Sequence, residues 1–298
     1  MDGLALMEAR SVEEARFLRP PALPGVEALH ATFVHHRYPP HVHDALTVAH
    51  VVRGAAGFDL EGRWQLAPAG CVFVIPPHRV HTGQAASPGG YSYRVLYLEL
   101  SQLAERSGRE PGVRSRQPAT VVRHPELAQA LRCLHRTLRL PAAALEQGEA
   151  LAGVARLLAG LTGSSSERAE PARHGHPAVL RARDYIHDRW SEDFTLDELA
   201  AACGLSPFHL SRRFREQIGM PPSAYRRALR IQAAQRLLRA GTPPARAAAA
   251  CGFYDQAHLN RHFKPVTGVT PGHYAAAHLS HSQKPARSRT TSRPRRAP

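Results

Sequence analysis

The chain has 298 residues, 43% of them hydrophobic, with a formal charge of +15 and a pI near 10.7. That length suits about two domains, and so large a cationic surplus points to a polyanionic partner, most often nucleic acid. No stretch approaches the ~20 apolar residues of a membrane helix, so no membrane partner is expected; four scattered cysteines (Cys71, Cys133, Cys203, Cys251) without a C-x-x-C pair argue against thiolate zinc and disulfide scaffolds and for a reducing compartment.

Residues 30–100 read as strands. DALTVAHVV, GFDL, RWQL, CVFVI and YSYRVLYLEL are short runs rich in β-branched and aromatic residues. Turn signals separate them: RGAAG, Glu61-Gly62, PAG at 68–70, PPH at 76–78 and SPGG at 87–90. This spacing predicts an all-β sandwich or barrel. Residues 124–162 read as helical, with Leu127, Leu131 and Leu134 on one face and Leu145, Leu151, Val154, Leu157 and Leu158 on another. These helices pack on the strands or against a second copy of the chain.

The small, polar stretch 163–177 (GSSSERAEPARHGHP) reads as a linker. The expected organisation is therefore 1–162, a β domain with helices at 124–162; 163–177, the linker; 178–278, a helical domain; and 279–298, a disordered basic tail. The tail segment 281–298 holds 6 Lys/Arg and no acid; it either adds sequence-independent affinity for a polyanion or is simply a solvated, floppy end.

Residues 178–278 carry a succession of helix signals. Thr195-Leu-Asp-Glu198 is a capping box. Ser206-Pro207 supplies a cap and a first-turn proline, and Gly219 a stop. Pro221-Pro222 opens a segment to Arg239, Pro243-Pro244 a short helix ending near Gly252, and Asp255 caps a helix running to Gly268.

This region also repeats itself. Ala202-Cys203-Gly204 matches Ala250-Cys251-Gly252; one inserted residue later, His209-Leu210, Arg212, Phe214, Gly219, Pro222 and Tyr225 match His258-Leu259, Arg261, Phe263, Gly268, Pro271 and Tyr274. Each copy is a short alanine-rich helix, a glycine turn and a longer capped helix, which describes a helix-turn-helix. In each second helix Leu210/Phe214 and Leu259/Phe263 are i,i+4 pairs for the core. Another stripe falls at Phe208, Ser211, Arg212 and Arg215, matched by Gln256, Ala257, Asn260, Arg261 and Lys264. Arg suits guanine, Asn and Gln suit adenine, and an apolar side chain can touch a thymine methyl. Pro265 falls late in the second of these helices and is expected to kink or shorten its last turn.

These motifs, DELAAACGLSPFHLSRRFREQIGMPPSAYRRALRIQAAQRLL and AAACGFYDQAHLNRHFKPVTGVTPGHY, resemble the DNA-binding domain of the AraC/XylS family of bacterial transcription regulators across 178–278. The resemblance implies base contacts from both recognition helices, at Phe208, Ser211, Arg212, Gln256, Asn260 and Arg261. It implies double-stranded promoter DNA as partner, RNA polymerase if the protein activates, a possible homodimer, and the bacterial cytoplasm and nucleoid as location.

Upstream, HHRYPPHVHDALTV and PPHRVHTG place His41, His43 and His81 in an order that resembles a cupin barrel, as in the effector domain of such regulators. A cupin-like barrel implies an enclosed pocket for a small-molecule effector; Tyr38, His41, His43, Trp64 and His81 are its candidates. Catalytic cupins usually add a Glu four residues after the second His, where this chain has Thr47. No catalytic residue, metal or cofactor is therefore expected. The alternative reading is a metal-dependent cupin enzyme fused to a DNA-binding module.

Overall fold

One strand organises the N-terminal half. In the computed structural model, which describes residues 13–60, 62–99, 120–139, 144–163 and 176–279, strand β4 runs unbroken from Leu46 to Leu60. The RGAAG stretch, expected to be a turn between two strands, is instead a bend inside it. The register shifts between Val51 and Arg53, and Gly54 adopts φ +70. A Cβ there would lie 2.0 Å from the Gly90 carbonyl oxygen, so glycine is required by both backbone and space. The bend lets β4 serve two layers.

The other strands are β1 (Glu14–Leu18), β2 (Val26–Phe33), β3 (Tyr38–His41), β5 (Arg63–Pro68), β6 (Val72–Ile75), β7 (His81–Ala85), β8 (Tyr91–Leu98) and β9 (Thr120–Val122). One layer has the order β1-β2-β8-β4-β6-β9; in the other, the far end of β4 pairs with β5 and β7, and β7 with β3. All pairings are antiparallel. The hydrogen-bonded path does not close on itself, so the expected barrel is an open, cupin-like roll. Helices α1 (Pro125–Thr137) and α2 (Ala144–Gly163) cover one face of it. Leu127, Leu131, Leu134, Leu151, Val154 and Leu158 share a core with Val48, Leu96 and Leu98 from the strands.

The C-terminal half follows its sequence signals closely. Helices are α3 (Pro177–Asp188), α4 (Leu196–Cys203), α5 (Pro207–Ile218), α6 (Pro222–Arg239), α7 (Pro244–Ala250), α8 (Gln256–Thr267) and α9 (Pro271–Leu279). The capping box closes both ways: the Thr195 amide donates to Glu198 at 2.7 Å, and the Glu198 amide donates to Thr195 Oγ1 at 3.2 Å. Ser206 and Asp255 cap α5 and α8. Pro265 does not shorten α8. The helix continues to Thr267, and the Gly268 amide donates to the Lys264 carbonyl at 2.8 Å. The missing proline donor removes one bond near the end, where the left-handed Gly268 cap already closes the turn. Residues 164–175 of the expected linker and all of the basic tail segment 281–298 lie outside the described residues.

Arg230, on α6, ties this half together. Its guanidinium donates to the carbonyls of Trp190 (2.8 Å), Glu192 (3.0 Å) and Gly252 (2.7 Å), and it meets Asp193 at 3.1 Å. Gly252 is needed for this approach, since a Cβ would lie 2.6 Å from the guanidinium carbon. The repeat therefore keeps Gly252 for close packing as well as for its φ of +71.

The halves share apolar core and polar ties. Phe33 and Tyr93 of the roll belong to one buried cluster with Ile231, Leu238, Phe263 and Tyr274. The buried Glu27 carboxylate accepts from Tyr274 Oη (3.1 Å), Arg239 (3.4 Å) and Arg19. Gln232 donates to the Val42 carbonyl at 2.9 Å, and Arg236 pairs with Asp44 at 3.2 Å.

Arg230→Lys is expected to destabilise the protein by about 2–4 kcal/mol in denaturant unfolding, because an ammonium group cannot serve several fixed carbonyls at once. Asp193→Ala should cost under ~1 kcal/mol, since that carboxylate is 94% exposed. Equal losses for the two variants would show that the ion pair, not the carbonyl contacts, matters.

Candidate functional site

The two repeat units present corresponding faces. On α5, Leu210 and Phe214 are fully buried; on α8, Leu259 and Phe263 are. These pairs anchor each helix and fix its rotation, leaving the stripe between them outward. Arg212, Arg215, Gln256, Arg261 and Lys264 are exposed, while Ser211 and Asn260 are half-buried. The amide oxygen of Asn260 is buried with no hydrogen-bond partner among the described residues, a costly state for a polar atom. Arg212 meets Glu216 one turn on at 3.9 Å, a loose exposed pair that is easily exchanged for another acceptor.

Phe208 is 73% exposed at the start of α5. It is not a core residue, although an aromatic in a first helical turn usually is. Tyr254, in the turn before α8, is 93% exposed and was not singled out by the repeat, because it falls at the inserted residue where the two copies lose alignment.

The second feature is a cavity of about 50 Å³ between the layers of the roll. Tyr38, His41, His43 and His81 line it together with Thr47. The three imidazoles converge: ring centroids lie 4.2 Å apart for His41–His81, 4.8 Å for His41–His43 and 5.0 Å for His43–His81. This follows from pairing, because His41 on β3 stands opposite His81 on β7. Trp64 is not brought to the cavity. It lies on the outer side of β5, 54% exposed, with its indole over Gly57. The alternation that points a β5 side chain inward selects the other set of residues.

Burial sets the protonation of this cavity. It pushes the His41 and His43 rings well below the ordinary histidine range and His81 down to about 3, with each neighbouring imidazole adding to the effect. Tyr38, Tyr91, Tyr93 and Tyr97 are pushed up by the same burial. The lining is therefore uncharged near neutral pH: neutral imidazoles, phenols and apolar side chains. Tyr91, Tyr93 and Tyr97 reach it from alternate positions of β8, a period-2 signal visible in YSYRVLY but not used to nominate them.

Comparison with known proteins covers both halves. Residues 23–161 match the AraC-like ligand binding domain and residues 199–277 a helix-turn-helix domain. The HTH-type transcriptional regulator YbfI of Bacillus subtilis is 26% identical over 242 residues, 78% of this chain and 86% of that one. The arabinose operon regulatory protein of Escherichia coli is 35% identical over 100 residues, a match that spans 33% of this chain and 34% of that one. Among solved structures, ToxT from Vibrio cholerae O395 superposes with a TM-score of 0.54 at 9% identity, over 85% of this chain and 98% of that one; this likeness is one of fold. Matched in both halves and in the same order along the chain, the protein belongs to the AraC/XylS family of DNA-binding transcriptional regulators.

Proposed function

We propose that α5 and α8 are paired recognition helices that enter successive major-groove segments of one promoter. Base contacts come from Phe208, Ser211 and Arg212 on the first and Gln256, Asn260 and Arg261 on the second, with Arg215 and Lys264 beside them. The observation that carries this is the split within each helix. Leucine and phenylalanine are fully buried, while polar and cationic residues occupy the open side in the same frame of both copies. α6, 18 residues or about 27 Å long, separates the two units by a distance comparable to one DNA turn of roughly 34 Å. Arg212 and Arg261 are shared, whereas Ser211 stands against Asn260 and Phe208 against Ala257. The operator is then a related but unequal pair of half-sites.

In this reading residues 1–162 sense an effector, 178–278 bind DNA and 163–177 connect them. The effector lies in the cavity of the roll and is small. About 50 Å³ holds far less than the 300–1,000 Å³ typical of drug-sized ligand pockets. The unsaturated fatty acid bound by a ToxT structure of similar fold (TM-score 0.53, 11% identity, covering 89% of this chain and 94% of that one) is too bulky for this space as it stands. In this reading the cavity binds the effector and does not transform it. A homodimer through the α1–α2 face, contact with RNA polymerase during activation, and a bacterial cytoplasmic, nucleoid-associated location complete the proposal. Among the described residues no helix is long and apolar enough to cross a membrane.

Mapping the bound genomic DNA and then measuring affinity for that site tests the proposal. Arg212→Ala or Arg261→Ala should each cost about 1–3 kcal/mol on the cognate site and relax base preference nearby. Equal losses on random DNA would reassign these residues to phosphate contact. Removing 281–298 should flatten the dependence of log affinity on log salt; an unchanged slope would place the tail off the DNA.

A further inference from the structure

The three histidines are the one group of His, Cys, Asp or Glu side chains among the described residues placed to share a metal ion: their ligand nitrogens all lie within 4.8 Å of one another. Two of them are already oriented. His41 Nδ1 lies 2.7 Å from the Pro39 carbonyl oxygen, and His81 Nδ1 lies 2.9 Å from that of Arg79. A carbonyl only accepts, so each Nδ1 carries the proton. In a neutral ring this leaves Nε2 with the free lone pair. A backbone carbonyl holding the far nitrogen in this way is the usual second shell of a metal-binding histidine.

A further observation concerns Thr47. This residue, 4% exposed, lines the same cavity, and its buried hydroxyl has no hydrogen-bond partner among the described residues. An unmatched buried hydroxyl is costly, and a metal-bound water would match it. The space also fits: about 50 Å³ accommodates an ion with one or two waters.

From these observations we infer that His41, His43 and His81 form a binding site for a single divalent first-row transition metal, with Thr47 facing a metal-bound water, and that this ion is the effector. The assignment rests on the regulator reading above. Three imidazoles and water suit zinc or cobalt rather than magnesium or calcium. Ligand nitrogens around such an ion sit about 3.3 Å apart when Zn–N is 2.0–2.1 Å and the site tetrahedral. Filling the site therefore draws the three imidazoles, two of them on the paired strands β3 and β7, closer together.

That movement has a route to the DNA-binding half. Tyr38 lies three residues before His41 on β3, with its hydroxyl 3.1 Å from that of Tyr93. A Cβ placed on Gly268, the cap of α8, would meet Phe33 at 3.1 Å and the Tyr38 hydroxyl at 3.5 Å. The end of the second recognition helix thus rests against the strand that carries a ligand.

The test uses the full chain, stripped of metal and titrated with Co²⁺ and Zn²⁺. One equivalent is expected, with intense visible Co²⁺ bands of a four-coordinate site that disappear when Zn²⁺ is added. His43→Ala and His81→Gln should each weaken binding by more than about 100-fold, the upper range for losing an outer-shell partner alone, while Thr47→Val keeps stoichiometric binding. The spectrum of the unsubstituted chain decides the matter if a histidine variant fails to fold. No stoichiometric binding, or binding unchanged in both histidine variants, overturns the site. DNA affinity is read in the same samples. A change of about 5–150-fold on adding metal is expected for an effector, and bound metal with unchanged affinity overturns the effector role. Specific DNA binding by a chain that takes up no metal would sink this inference and leave the regulator reading standing; loss of operator specificity under all conditions would sink the regulator reading itself.

Discussion

Helix α6 is the element on which the rest of this protein depends. It is buried on nearly every side: Tyr225, Leu229, Ile231, Ala234 and Leu238 are all buried, and so are Arg230 and Gln232. The small alanines let neighbours approach from several directions. Arg230 holds the two helix-turn-helix units through backbone carbonyls, while Gln232, Arg236 and Arg239 reach the roll. One rigid rod therefore fixes the two recognition helices relative to each other and both relative to the effector domain.

That arrangement gives a physical meaning to coupling. A ligand that acts on DNA binding must favour one packing of the halves over another. The contacts available to it are few and named: the Glu27 cluster with Arg19, Arg239 and Tyr274, the Val42 carbonyl, and the Phe33–Tyr38 surface beneath Gly268. Glu27 deserves weight because a buried carboxylate that loses its partners is strongly destabilising. Separation of the halves would expose it together with the apolar surface of Phe33 and Phe263, so a shift within the interface is cheaper than its dissolution.

Much of the helical half was legible in the sequence because its signals are local. A capping box, a serine cap before proline and a glycine after the last turn act within four residues, and they gave the helix ends. The repeat supplied the rotation of both recognition helices, since Leu210/Phe214 and Leu259/Phe263 can only face inward. The roll was less legible. RGAAG has the composition of a turn, yet in β4 it bends a continuous strand, because pairing passes within it from β8, up to Gly54, to β5 and β7 from Ala55 and Ala56 onward. Trp64 was misplaced for a related reason: an isolated short strand does not say which of its faces looks inward.

The sequence by itself determined the family, the doubled motif, the exposed stripes on α5 and α8 and the presence of histidines near the strands. Each depends on residues close together in the chain or on a match repeated along it. Only the tertiary structure decided that His41, His43 and His81 meet, that Thr47 lines the same cavity with its hydroxyl unpartnered among the described residues, and that β3 lies against the cap of α8. Those are pairings between segments some 40 to 230 residues apart. They follow from sheet register and from burial shared between the halves, and neither leaves a local trace.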